Sequence, residues 1–180
     1  QENDLFTLVP EELFDEKEKK TYLKYVTKVK NTDFISNDNI EELKIKNVYI
    51  PYVNINNFLV DIFKNIDYYH FNSVLIKKVF HIKNDKSFFA YVDNNKLKII
   101  IFNKDELIFF NSYEIESETD IIYFLLLSIK EKGLEIKETQ INFILDKKND
   151  LLLEIADKFF DNFEIINNKK IDFIYSEWEL

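Results

Sequence analysis

Residues 117–133 read SETDIIYFLLLSIKEKG, and this stretch decides the fold because its start signal, apolar body and stop signal agree. Ser117 followed at the third position by Asp120 has capping-box spacing, and Glu116, Glu118 and Asp120 put negative charge where a helix N-terminus favours it. Ile121 to Leu127 is apolar without a break, which predicts a helix buried on most of its circumference. Lys130 and Lys132 fall in the last turn, and the single glycine of the chain, Gly133, stands where a left-handed residue closes a helix.

Upstream of this helix the period changes to that of strands. Phe88 to Val92, Leu97 to Phe102 and Leu107 to Tyr113 are β-rich runs joined by Asp93-Asn94-Asn95-Lys96 and Asn103-Lys104-Asp105, the pattern of a meander of two hairpins. Asn and Asp tolerate the left-handed turn conformations that glycine usually supplies. Downstream, Ile141 to Leu145 reads as a buried strand and Asp150 to Phe160 as a helix. Phe163 to Ile166 and Ile171 to Tyr175 read as closing strands. The order from Ser87 is thus β-β-β-α-β-α-β, that of the ribonuclease H-like fold and of each half of actin-like ATPases.

The first half is less regular. Leu5 to Val9 predicts a strand ended by Pro10, followed by a helical turn over Glu11 to Phe14. Asp15 and Glu18 then cap a charged helix on which Tyr22, Val26 and Val29 share a face. Asn31 to Asn39 reads as a loop, and Val48 to Val53 as a strand end or edge broken by Pro51. Asn54 precedes a helix whose apolar side is Ile55, Phe58, Leu59, Ile62 and Phe63. Asn72 or Ser73 precedes another with Leu75, Ile76, Val79 and Phe80 inward. The expectation is an α/β protein of two related β-sheet and helix halves: a partial N-terminal actin-like subdomain over 1–83 and a ribonuclease H-like subdomain over 84–180. Gln1 in place of a start methionine is read as a processed or partial chain.

Several motifs add a resemblance. Phe6-Thr7-Leu8-Val9-Pro10 with Leu13-Phe14, Phe110-Asn111-Ser112-Tyr113, and Glu118-Thr119-Asp120-Ile121-Ile122-Tyr123-Phe124-Leu125-Leu126 resemble the Bacteroidetes domain of unknown function 3822 family. The resemblance implies a bacterial protein with an actin-like ATPase fold and brings no assigned reaction.

Composition narrows the function classes. The chain has 180 residues, 46% of them hydrophobic, with 18 Phe and 10 Tyr, which is material for a substantial core. It has no Cys and 2 His, so thiolate chemistry and an imidazole-rich metal site are excluded. A net charge of -9 argues against nucleic acid, and its 24 basic residues are all Lys, which leaves no planar guanidinium for a phosphate. No apolar run reaches the length of a membrane span and no signal-peptide pattern opens the chain, so a cytoplasmic setting without membrane is expected.

The candidate chemistry is sparse. Actin-like ATPases hold phosphates on glycine-containing hairpin turns, and the equivalent turn here is Asp93, Asn94, Asn95 and Lys96. Asp93 matches the acidic position, whereas Asn94 and Asn95 stand where close backbone approach calls for glycine. A two-metal nuclease would enlist Asp93, Asp120 and Asp146, but Asp120 is better placed as a helix cap. His70 and His81 have no nucleophile beside them, and each reads as a packed residue or a helix-end charge. No catalytic residue, metal or cofactor is expected. The expected mode of action is through a protein partner or self-association, with Phe173, Tyr175 and Trp178 of the terminal strand as the interaction candidates. The alternative is a nucleotide-binding ATPase whose phosphate hairpin lies upstream of residue 1.

Overall fold

The computed structural model describes residues 2–64, 66–145 and 147–167. The chain divides into two compact units, Gln1–Lys77 and Lys78–Leu180.

In the second unit, β4 (Lys86–Asp93), β5 (Lys96–Asn103) and β6 (Glu106–Glu114) form the expected meander, paired antiparallel in sequence order. Helix α4 (Glu118–Glu131) crosses to β7 (Ile141–Leu145), which pairs parallel with β4. Helix α5 (Asp150–Ala156) then crosses to β8 (Phe163–Asn167), parallel to β7. The sheet order is β6-β5-β4-β7-β8. Parallel neighbours require a crossover, and each helix supplies one. β7 is buried at every position, as a strand covered on both faces should be.

Local chemistry explains α4. Ser117 accepts the Asp120 N–H, and Asp120 returns a carboxylate to the Ser117 and Glu116 N–H groups at 2.9 Å each. At the other end Gly133 has φ +61°, its N–H donates to the Lys130 carbonyl and Leu134 N–H reaches back to Ile129, the pair of bonds that closes a Schellman motif. Ile122, Leu125 and Ile129 are buried against Phe88, Ala90, Leu97, Ile99 and Ile101, with Leu126 half-buried beside them. The meander turns use left-handed Asn94 (φ 47°) and Lys104 (φ 52°). Lysine at the second turn is a residue type that turn chemistry would not have chosen.

In the first unit, β1 (Phe6–Pro10), β2 (Ser36–Ile40) and β3 (Ile45–Tyr49) form a three-stranded antiparallel sheet in the order β1-β3-β2. β2 begins inside the 31–39 stretch expected as a loop. Of the two readings of Val48 to Val53 the strand end holds, since β3 stops at Tyr49, while the edge does not, since β3 is the central strand. Its companions are α1 (Lys19–Lys24), α2 (Val53–Phe63) and α3 (Phe71–Ile82), the last crossing the division between the units. Helix α1 ends earlier than the Tyr22, Val26, Val29 spacing predicts. Its core residue is Leu23, packed with Val9 and Val48, and Val26 is exposed. Helix α2 also departs from expectation. Asn56 is buried and Leu59 half-buried, while Ile55, Phe58, Ile62 and Phe63 face outward. The expected strand at 171–175 lies outside the described residues.

Candidate functional site

In open α/β sheets the crevice outside the carboxyl ends of parallel strands at a change of strand order is the usual ligand position. Here it lies beyond β4 and β7. A cleft of about 300 Å³ opens there, lined by Val92, Asn94, Leu145, Lys147, Lys148, Asn149 and Asp150. Of the four hairpin residues singled out by sequence, Asn94 lines this cleft. Asp93 and Lys96 face each other as the last pair of the β4–β5 ladder and are half-buried, and Asn95 is exposed.

The polar groups around the cleft are engaged with one another. Asn94 donates its side-chain amide to Asp93 Oδ1 at 2.9 Å, and the Asn95 carbonyl accepts the Ile115 N–H at 2.8 Å. Lys148 Nζ lies 2.6 Å from Asp150 Oδ1. Asn149 caps α5 by accepting the Leu152 N–H at 2.9 Å and donates to Glu118 Oε1 at 3.1 Å. Asp120, the second carboxylate a two-metal site would need, is committed to the α4 cap. Its hydrogen bond from the Glu116 N–H, with those of Ser117, holds it below the usual carboxylate range. Asp146 lies outside the described residues, as do Phe173, Tyr175 and Trp178. Among the described residues no three His, Cys, Asp or Glu side chains converge as a metal site would require. The cleft thus offers two exposed ammonium groups and a turn whose Asn side chain fills the approach that glycine would leave open.

A second cluster, invisible to motif reading, lies inside the first unit. Asp38 accepts the Tyr49 hydroxyl at 2.9 Å on Oδ1, and on Oδ2 the Ser73 hydroxyl at 2.7 Å and the His70 backbone N–H at 2.8 Å. Asn47 donates to the Ser73 oxygen at 2.8 Å. His70 is fully buried between the rings of Phe6 and Tyr49, each centred 5.0 Å away. Its Nδ1 accepts the Asn72 N–H at 3.2 Å, which leaves the proton on Nε2 to be donated to the Asn3 carbonyl at 3.1 Å. His70 therefore caps α3, the task the sequence reading gave to Asn72 or Ser73. Burial raises the Asp38 carboxyl above its ordinary value despite the three hydrogen bonds, and raises the Tyr49 phenol as well.

Ser73, His70 and Asp38 come together here, the histidine through its backbone N–H, yet their connections are not those of a nucleophile. The Ser73 hydroxyl donates to the carboxylate rather than to the imidazole, and both imidazole nitrogens are taken by backbone groups. A nucleophilic serine needs its own base and access to substrate. The cluster ties β2, β3 and the start of α3 together. Sequence spacing gave no hint of it, since Asp38 and His70 are 32 residues apart.

The chain belongs to the family described as Protein of unknown function (DUF3822), which matches residues 1–163. A solved structure from Bacteroides thetaiotaomicron VPI-5482, described as a protein with actin-like ATPase fold and unknown function, superposes with a TM-score of 0.83 at 19% sequence identity. The likeness covers 98% of this chain and 72% of that one. At that identity it shows the fold: this is an α/β chain of the actin-like, ribonuclease H-like class. No curated protein matches the chain.

Proposed function

We propose that this chain acts through protein contacts rather than catalysis, as a non-catalytic member of the actin-like fold. The observation that carries the reading is the outward apolar side of α2, where Ile55, Phe58 and Ile62 are 55%, 63% and 54% exposed. Apolar surface of this extent beyond scattered single residues marks interaction sites on soluble proteins. The β4–β7 cleft supports the same reading from the other direction. Its turn presents Asn94 where a phosphate would need bare backbone, and its Lys148 is paired with Asp150.

A second reading, a nucleotide-binding ATPase, is favoured by the fold and by the position of that cleft at the end of the hairpin. Calorimetry with ATP and magnesium separates the two. The expected result is no binding at sub-millimolar nucleotide. A micromolar dissociation constant that disappears in Asp93→Ala would overturn the non-catalytic reading.

A further inference from the structure

We propose that the outer face of the first unit is a self-association surface, and that its occupant is the same face of a second copy of this chain. The inference rests on the protein-contact reading and names its partner. Two adjoining features carry it. One is a ridge, Ile55, Phe58 and Ile62, spaced i, i+3, i+7 along α2 and therefore aligned on one side of the helix. The other is a groove of about 540 Å³ between the 32–34 segment and the start of α2. Phe34, Tyr52 and Val53 stand exposed along it, and Ile55 belongs to both features.

Ridge and groove side by side on one face are what a two-fold axis needs. A rotation that seats one copy's ridge in its partner's groove also seats the partner's ridge in the first groove. The area is sufficient. Given aromatic side chains of about 150–250 Å² each, the exposed fractions of these six residues leave roughly 500 Å² of apolar surface per copy. Two copies cover about 1,000 Å² before any polar rim is counted, the size at which a specific interface begins. Charge points to the same occupant. Helix α2 carries one charged residue, Asp61, and the groove one, Asp33, so the centre of the face lacks the charge that would select a partner of opposite sign. Two chains of net charge -9 repel, and salt screens that repulsion. Dimerisation should accordingly tighten as salt is raised.

Sedimentation equilibrium and light scattering on the 1–180 chain test this from micromolar to several hundred micromolar protein. The expected result is a monomer–dimer equilibrium that shifts toward dimer in high salt. Phe58→Glu and Ile62→Lys should each weaken it at least about 30-fold, the effect of losing a central contact. Both residues are more than half exposed, so the monomer should keep its fold, which circular dichroism checks. A strict monomer at every concentration would overturn the inference, and so would a dimer indifferent to both substitutions. Neither outcome depends on nucleotide, whereas the protein-contact reading itself falls with micromolar ATP binding, so the two failures are distinguishable.

Discussion

Asp38 should decide the stability of the first unit, and comparing its replacement by Ala with its replacement by Asn isolates why. Asp38→Ala removes the acceptor shared by the Tyr49 hydroxyl, the Ser73 hydroxyl and the His70 N–H, all on buried residues. An orphaned buried donor costs about 1–3 kcal/mol. Tyr49 has an alternative partner in the Ser36 side chain, and loss of a buried carboxylate offsets part of the damage. Two donors left unserved cost about 2–6 kcal/mol, and with the offset a net loss of about 2–5 kcal/mol is expected. Asp38→Asn keeps the shape. Its oxygen can serve Ser73 and His70 while its amide donates to the Tyr49 oxygen and the phenol turns to Ser36, so a cost below about 1.5 kcal/mol is expected. The pH dependence has a definite sign. The Asp38 carboxyl lies above its ordinary 3.8 in the folded chain, so the protonated form favours folding. That contribution is complete below 3.8 and is lost as pH rises through the folded value. Asn does not titrate. Its stability relative to the native chain should therefore improve from pH 4 to pH 7. Urea unfolding followed by circular dichroism gives the free energies, and amide exchange locates the loss in 36–49 and 70–76. An Asn variant as damaged as the Ala variant, or a difference that ignores pH, would refute the argument.

Leu125→Ala should cost about 2–5 kcal/mol in the same denaturation assay, because Leu125 is wholly buried between α4 and the meander. The half-buried Leu126 should cost less when truncated. Gly133→Ala should cost about 1–2 kcal/mol through the left-handed backbone alone, since a Cβ there meets nothing within 4 Å. A loss greater than that would mean Gly133 serves packing and not conformation.

The second unit was legible because its signals are local and agree. Ser117, Asp120, Lys130 and Gly133 mark both ends of one helix, and strand runs with Asn-rich turns fix three antiparallel strands before it. A helix between strands forces the parallel pairing of β4 with β7. The first unit was less legible because its decisive contacts are distant or polar. Ser36-Asn37-Asp38-Asn39-Ile40 has none of the β-branched or aromatic run that announces a strand. It is one because β3 offers it a full ladder and because Asp38 is held by Tyr49, Ser73 and His70. His70 is packed, one of the two readings its sequence setting left open, but its work as a helix cap depends on the carbonyl of Asn3 and on Asp38, both far away in sequence.

Helix α2 shows a different limit, and it bears on function. Period alone identifies which residues share a face and says nothing of which face turns inward. The assumption that the apolar face does so holds for α4 and fails for α2, where Asn56 takes the buried side. A helix that orients this way forgoes burying Ile55, Phe58 and Ile62, which at about 1.5–3 kcal/mol per fully buried side chain is several kcal/mol left unused within the monomer. The self-association proposed above would recover that energy without any new chemistry. Apolar residues at helical spacing are thus ambiguous between core and surface, and in this chain exposure places Ile55, Phe58 and Ile62 of α2 on the surface.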